Sequence, residues 1–185
     1  KVIERQNQEI VLSPQDDVFI AKHTQWKDES FARDAVRAHH VTKVTELAGS
    51  ENKENIRAEI RKPEHSVLWF VNHGDEYLWL DNGTAEEANI KAISPEELTE
   101  DLVIRAENNG GRLSDLVIII DACSSGSVAI RARNELRLAK ESGKVKDMPL
   151  IITFTNEKVI GYSHVLGISL KKLADNKQDL EQGTS

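Results

Sequence analysis

Two stretches of the chain are apolar at every position instead of at alternate ones. "SVLWFVN" (Ser66 to Asn72) runs into His73-Gly74, and "DLVIIID" (Asp115 to Asp121) runs into Ala122-Cys123. A strand that is apolar on both faces suits the centre of a parallel sheet, where helices cover both sides. Weaker strand patterns stand at "DVFIAK" (Asp17 to Lys22), the alternating "HVTKVTEL" (His40 to Leu47) and "MPLIITFT" (Met148 to Thr155). Helical spacing lies between them. "KDESFARDAVRAHH" puts Phe31, Ala35 and Ala38 on one face, with acids early. "GSENKENIRAEIRK" opens on a capping serine. In "SPEELTEDLVIRAEN", Ser94 is the predicted N-cap, Pro95 the first helical residue, and Leu98, Leu102 and Ile104 to Ala106 the buried stripe. A basic amphipathic helix follows the cysteine, and "SHVLGISLKKLADN" closes the series. "EYLWLDNG" reads as a hairpin with an Asn-Gly turn.

The alternation of strands and helices predicts an α/β fold with one mostly parallel central sheet and helices on both faces. Length allows a single domain over residues 18–185, with residues 1–17 as an N-terminal arm or edge strand. A formal charge of −7 gives no basic footprint for nucleic acid or an anionic membrane. No apolar run is long enough to span a bilayer. One cysteine excludes an intrachain disulfide framework without fixing the compartment, with the cytoplasm favoured. The chain starts at Lys1 with no leader pattern, which suggests a processed form or part of something longer.

Ligands of open parallel sheets bind beyond the carboxyl ends of the strands. His73 and Cys123 both follow a strongly apolar strand at that end. If the two strands are neighbours, an imidazole and a thiol share one cleft, which is the composition of a nucleophile with its proton carrier. The small residues of "CSSGS" and the helix start behind them would let backbone N–H groups meet a developing negative charge. Taken singly, a cysteine is more often a small buried hydrophobe and a histidine an ordinary surface or core residue. It is their joint placement that carries the argument. Lys22, His23, His39, His40 and His164 are read as surface residues, and His39-His40 with Glu46 lacks a recurring metal-ligand spacing.

"HSVLWFVNHG", "ISPEELTEDL" and "LSDLVIIIDACSSGS" resemble the caspase–legumain superfamily of cysteine peptidases, over about Val18 to Ser169. The likeness is specific around His73-Gly74 and Asp121 to Ser127, and closest to legumain-type and metacaspase-type members. His73 precedes Cys123 by 50 residues, an interval that caspases also show. The place where legumain has an arginine in its first loop falls at Ser30 or a neighbour, so that pocket is not carried over.

The resemblance implies a caspase-like three-layer sandwich and a cysteine endopeptidase. In it Cys123 is the nucleophile and His73 the dyad histidine, and the N–H groups of Gly74 and Cys123 form the oxyanion hole. Asp121, Thr155 and Asn156 would line the substrate pocket. An acid at Asp121 favours cleavage after arginine or lysine. An Asn/Asp-specific legumain-like peptidase and an inactive caspase-like scaffold are the alternatives. No metal or cofactor is implied. The expected partner is a peptide or protein substrate, with a second copy of the chain or additional domains as further candidates. An α/β-hydrolase is disfavoured by the order of its residues, and a tyrosine phosphatase by Ala129 where it needs arginine.

Overall fold

Strand β3 (Val67–Val71) is buried at all five positions and pairs on both sides with parallel neighbours. The structure, a computed structural model, describes residues 12–122 and 125–153. Around β3 stand β1 (Asp17–Lys22), β2 (Lys43–Ala48), β7 (Val117–Asp121) and β8 (Leu150–Thr153). They form a five-stranded sheet in the order β2-β1-β3-β7-β8, with every pairing parallel. A second, antiparallel sheet joins β4 (His73–Gly74), β5 (Leu78–Trp79) and β6 (Ala92–Ile93).

Alternation along the central strands divides the core in two. Phe19, Leu68, Phe70, Ile118 and Ile120 face one way, toward α2 (Lys53–Ile60), α4 (Pro95–Asn108) and α5 (Ser125–Glu141). Ile20, Trp69 and Ile119 face the other way, toward α1 (Phe31–Ala38) through Ala32, Ala35 and Val36. The chain is therefore a three-layer α/β sandwich on a parallel sheet. Each fully buried Leu, Ile or Phe contributes about 1.5–3 kcal/mol to holding the layers together.

Helix α4 forms as its sequence dictates. The Ser94 hydroxyl accepts from the Glu97 N–H at 3.0 Å, the Glu97 carboxylate accepts from the Ser94 N–H, and Pro95 stands at the first turn. Other local expectations are corrected. Ser50 does not cap α2; its hydroxyl and N–H both donate to Asp81. Phe31 is largely exposed, because the inward stripe of α1 is Ala32, Ala35 and Val36. Ile104 is only partly buried, and Arg105 fills the stripe by donating to the carbonyls of Lys62, Pro63 and His65. His40 takes a left-handed conformation (φ 63°) as the chain leaves α1, and β2 starts later, at Lys43.

The Asn82-Gly83 pair is not a hairpin turn. β5 pairs with β4 before it and with β6 after it, and the connection to β6 includes the short helix α3 (Ala88–Lys91). Most of the "EIVL" arm and the final helix lie outside the described residues. None of the described helices is long and apolar enough to cross a membrane.

Candidate active site

β3 and β7 are neighbours, paired in register from Val67↔Val117 to Val71↔Asp121. The Asn72 N–H donates to the Asp121 carbonyl at 3.3 Å, and the Asn72 side-chain amide donates to the Trp79 carbonyl at 2.9 Å. These bonds tie the carboxyl ends of β3, β5 and β7 together. His73 leaves β3 at this edge as the first residue of β4, half-buried, with Gly74 beside it. Asp121 ends β7 and is buried. α5 begins at Ser125, four residues after the end of β7. Cys123, Thr155 and Asn156 lie outside the described residues.

The environment of His73 is built by the loop that follows β1. Oε1 of Gln25 stands 3.0 Å from Nε2 of His73. Nε2 therefore donates its proton to Gln25, and Nδ1 is left as the basic nitrogen. The rings of Trp26 and His23 pack on His73 at centroid distances of 4.6 and 4.7 Å, the second edge-on. The loop is anchored by Lys22. Its ammonium donates to the carbonyls of Lys27 (3.0 Å) and Glu29 (2.7 Å) and pairs with Glu46, which also takes Arg33 at 2.9 Å.

Lys22 and His23 are thus buried, not surface residues. The lysine buries its charge because two carbonyls and a carboxylate meet it there. Nδ1 of His23 accepts the Gln25 N–H at 3.0 Å, which starts the Thr24–Trp26 turn. His23, Gln25 and Trp26 were not identified as site residues from the sequence. A histidine or glutamine in a polar loop has no pattern to mark it.

Burial pushes the His73 imidazole below its ordinary value, so the ring is the neutral base at neutral pH. His23 is lowered too, by burial first and by the neighbouring His73 second, with Asp81 pulling the other way. Burial acts to raise the Asp81 carboxyl, but the hydrogen bonds from Ser50 outweigh it and hold the group below the usual carboxylate range.

The two histidines make the fold sensitive to acid. Their proton affinity is lower folded than unfolded, so the unfolded chain binds more protons as pH falls. The penalty is absent above the ordinary imidazole value of 6.5 and is complete once pH drops below the lowered folded values. His23→Asn keeps an acceptor for the Gln25 amide and removes one of the two groups. Thermal melts at pH 7.5 and pH 5 should show a smaller acid-side drop in Tm for this variant than for wild type. An unchanged drop would show that His23 is not the sensitive group.

Next to His73 opens a pocket of about 370 Å³, lined also by Asp75, Tyr77, Trp79, Asp81 and Gly83. Among the described residues no group of three His, Cys, Asp or Glu side chains is arranged to hold a metal ion. No family model, curated protein or solved structure matches the chain.

Proposed function

We propose that the chain is a cysteine endopeptidase working through a His73–Cys123 dyad. The observation that supports this reading is the in-register parallel pairing of β3 with β7, which brings His73 and the end of β7 to one edge of the sheet. The Cys123 thiol passes its proton to Nδ1 of the neutral His73 ring, the thiolate attacks the scissile carbonyl carbon, and the N–H groups of Gly74 and Cys123 hold the tetrahedral oxygen. Collapse expels the amine, which takes its proton from His73 and leaves a thioester. His73 then removes a proton from water as it attacks the acyl carbon, the thiolate leaves, and it takes that proton back from His73, which restores the starting dyad. Gln25 on Nε2 supports this by leaving Nδ1 to exchange the proton. An acidic side chain at Asp121 supports cleavage after arginine or lysine, with Thr155 and Asn156 as further pocket residues.

An acyloxymethyl ketone probe carrying arginine tests the dyad directly. We expect one covalent adduct per chain, mapped by peptide mass spectrometry to Cys123, with a rate that falls at least tenfold in His73→Gln. Adduct formation indifferent to His73 would overturn the dyad. Faster reaction of an asparagine or aspartate probe would retain it and reassign the pocket. No reaction with any probe would favour a scaffold.

A further inference from the structure

The pocket beside His73 lies on a defined side of that residue. Asp81, part of its lining, accepts from the N–H and hydroxyl of Ser50, which follows β2. The Leu80 carbonyl accepts from the Thr24 N–H, just after β1. In the order β2-β1-β3-β7-β8, β1 and β2 are across β3 from β7. The pocket therefore extends from His73 away from the end of β7.

Its walls have a consistent chemistry. Tyr77 and Trp79 meet edge-to-face at 5.8 Å, and the Trp79 indole N–H and the Tyr77 backbone N–H both donate to one oxygen of Asp75, at 3.0 and 2.9 Å. That fixes the aromatic pair against a carboxylate. Asp81 is held ionised by Ser50, and the exposed Glu76 adds a third acid at the mouth. Aromatic faces beside carboxylates, in a cavity large enough for a long side chain, select a cation on an alkyl stem.

This inference rests on the proposed peptidase reading. In that reading Cys123, two residues past the end of β7, attacks on the β7 side, and the amine leaves toward the imidazole that protonates it. The fragment that departs thus runs over His73 toward β1 and β2. We propose that this pocket binds the basic side chain of one of the first two residues after the cleaved bond. The enzyme would then read its substrate on both sides of the scissile bond.

Two measurements test this, one of them independent of turnover. In the Cys123→Ala chain, titration with the dipeptide Arg-Ala-amide should shift the Trp79 indole resonance saturably in ¹H–¹⁵N spectra, while Glu-Ala-amide should not. Glu76→Gln should weaken the arginine dipeptide about threefold and Glu76→Lys further, and added salt should weaken it in every variant. Equal shifts with both dipeptides, or none, overturn the cation pocket. In the wild-type chain, peptides that share their cleaved residue should be cut about tenfold faster with Arg than with Glu at one of the two following positions. Turnover indifferent to those positions overturns the leaving-side assignment and leaves the dyad standing. A chain that binds the arginine dipeptide but cleaves nothing overturns both the peptidase reading and this role for the pocket.

Discussion

His73→Ala is expected to lower kcat/KM for peptide hydrolysis by about 10³–10⁴-fold, and Cys123→Ala to abolish turnover. The histidine is used twice in the proposed cycle, giving a proton to the leaving amine and taking one from water. Without it both the acylation and deacylation barriers rise, while substrate binding is retained. The loss should therefore appear in kcat, with KM changed little. A double variant should be no worse than Cys123→Ala alone, because the two groups act as a unit. A fluorogenic panel that varies only the residue before the cleaved bond, run with wild type and both variants, gives the result directly. Arginine or lysine turnover lost in both variants would support the dyad and the acidic pocket together. Turnover confined to asparagine or aspartate would keep the dyad and discard Asp121 as the determinant. Activity that survives His73→Ala within tenfold would falsify the assignment of His73.

The same variant separates chemistry from architecture. His73 also packs against His23 and Trp26, so its removal leaves a gap beneath Gln25. His73→Gln fills more of that gap than alanine but cannot carry a proton. Similar losses from alanine and glutamine would point to proton transfer, and a much milder glutamine variant would point to packing.

The central strands were legible because burial on both faces leaves a run of apolar residues that no half-buried strand needs. Ser94 and Pro95 were legible because a helix start has local chemistry of its own. That β3 adjoins β7 was not stated by either strand, since strand order is a property of the whole sheet. Lys22 and His23 were misread for a related reason. Their polarity predicts exposure, but the partners that make burial tolerable come from Lys27, Glu29 and Glu46, which only the fold brings near. The Asn-Gly signal failed where a longer-range preference won. Buried Leu78 and Trp79 have partners on both sides, in β4 and in β6. Gln25 carries no sequence signal, yet it is the side chain that sets the His73 tautomer.

Asp101→Ala is expected to destabilise the fold by about 3–5 kcal/mol, the cost of leaving buried charge without its partner. Asp101 is fully buried on α4 and faces α2. Its two oxygens accept a bidentate pair from Arg57, from Nε at 2.8 Å and Nη2 at 3.1 Å, and a third bond from Nε of Arg61 at 2.6 Å. Arg57 reaches Glu100 as well, and the Asp101 bonds hold its guanidinium well above its ordinary value. Glu97 joins the network through Nη1 of Arg57 at 3.4 Å and takes Lys53 at 2.9 Å. Removing Asp101 takes both of its bonds from Arg57, whose side chain is only 11% exposed, and leaves it the longer Glu97 contact and the exposed Glu100. Against a total of about 5–15 kcal/mol, that loss unfolds a sizeable fraction of the chain at 37 °C. Asp101→Asn keeps the shape and some acceptors, so it should cost less. Replacing both partners, as in Asp101→Leu with Arg57→Met, should cost less than Asp101→Ala, since only Arg61, whose side chain is 35% exposed, then loses its carboxylate. Urea denaturation with a common slope measures all three. A cost for Asp101→Ala below about 1 kcal/mol would mean the pair behaves as a solvated surface bridge. The cluster holds α2 to α4 and touches none of the residues around His73. Its loss should lower activity through the folded fraction alone, with kcat per folded molecule preserved, opposite to what His73→Ala should show.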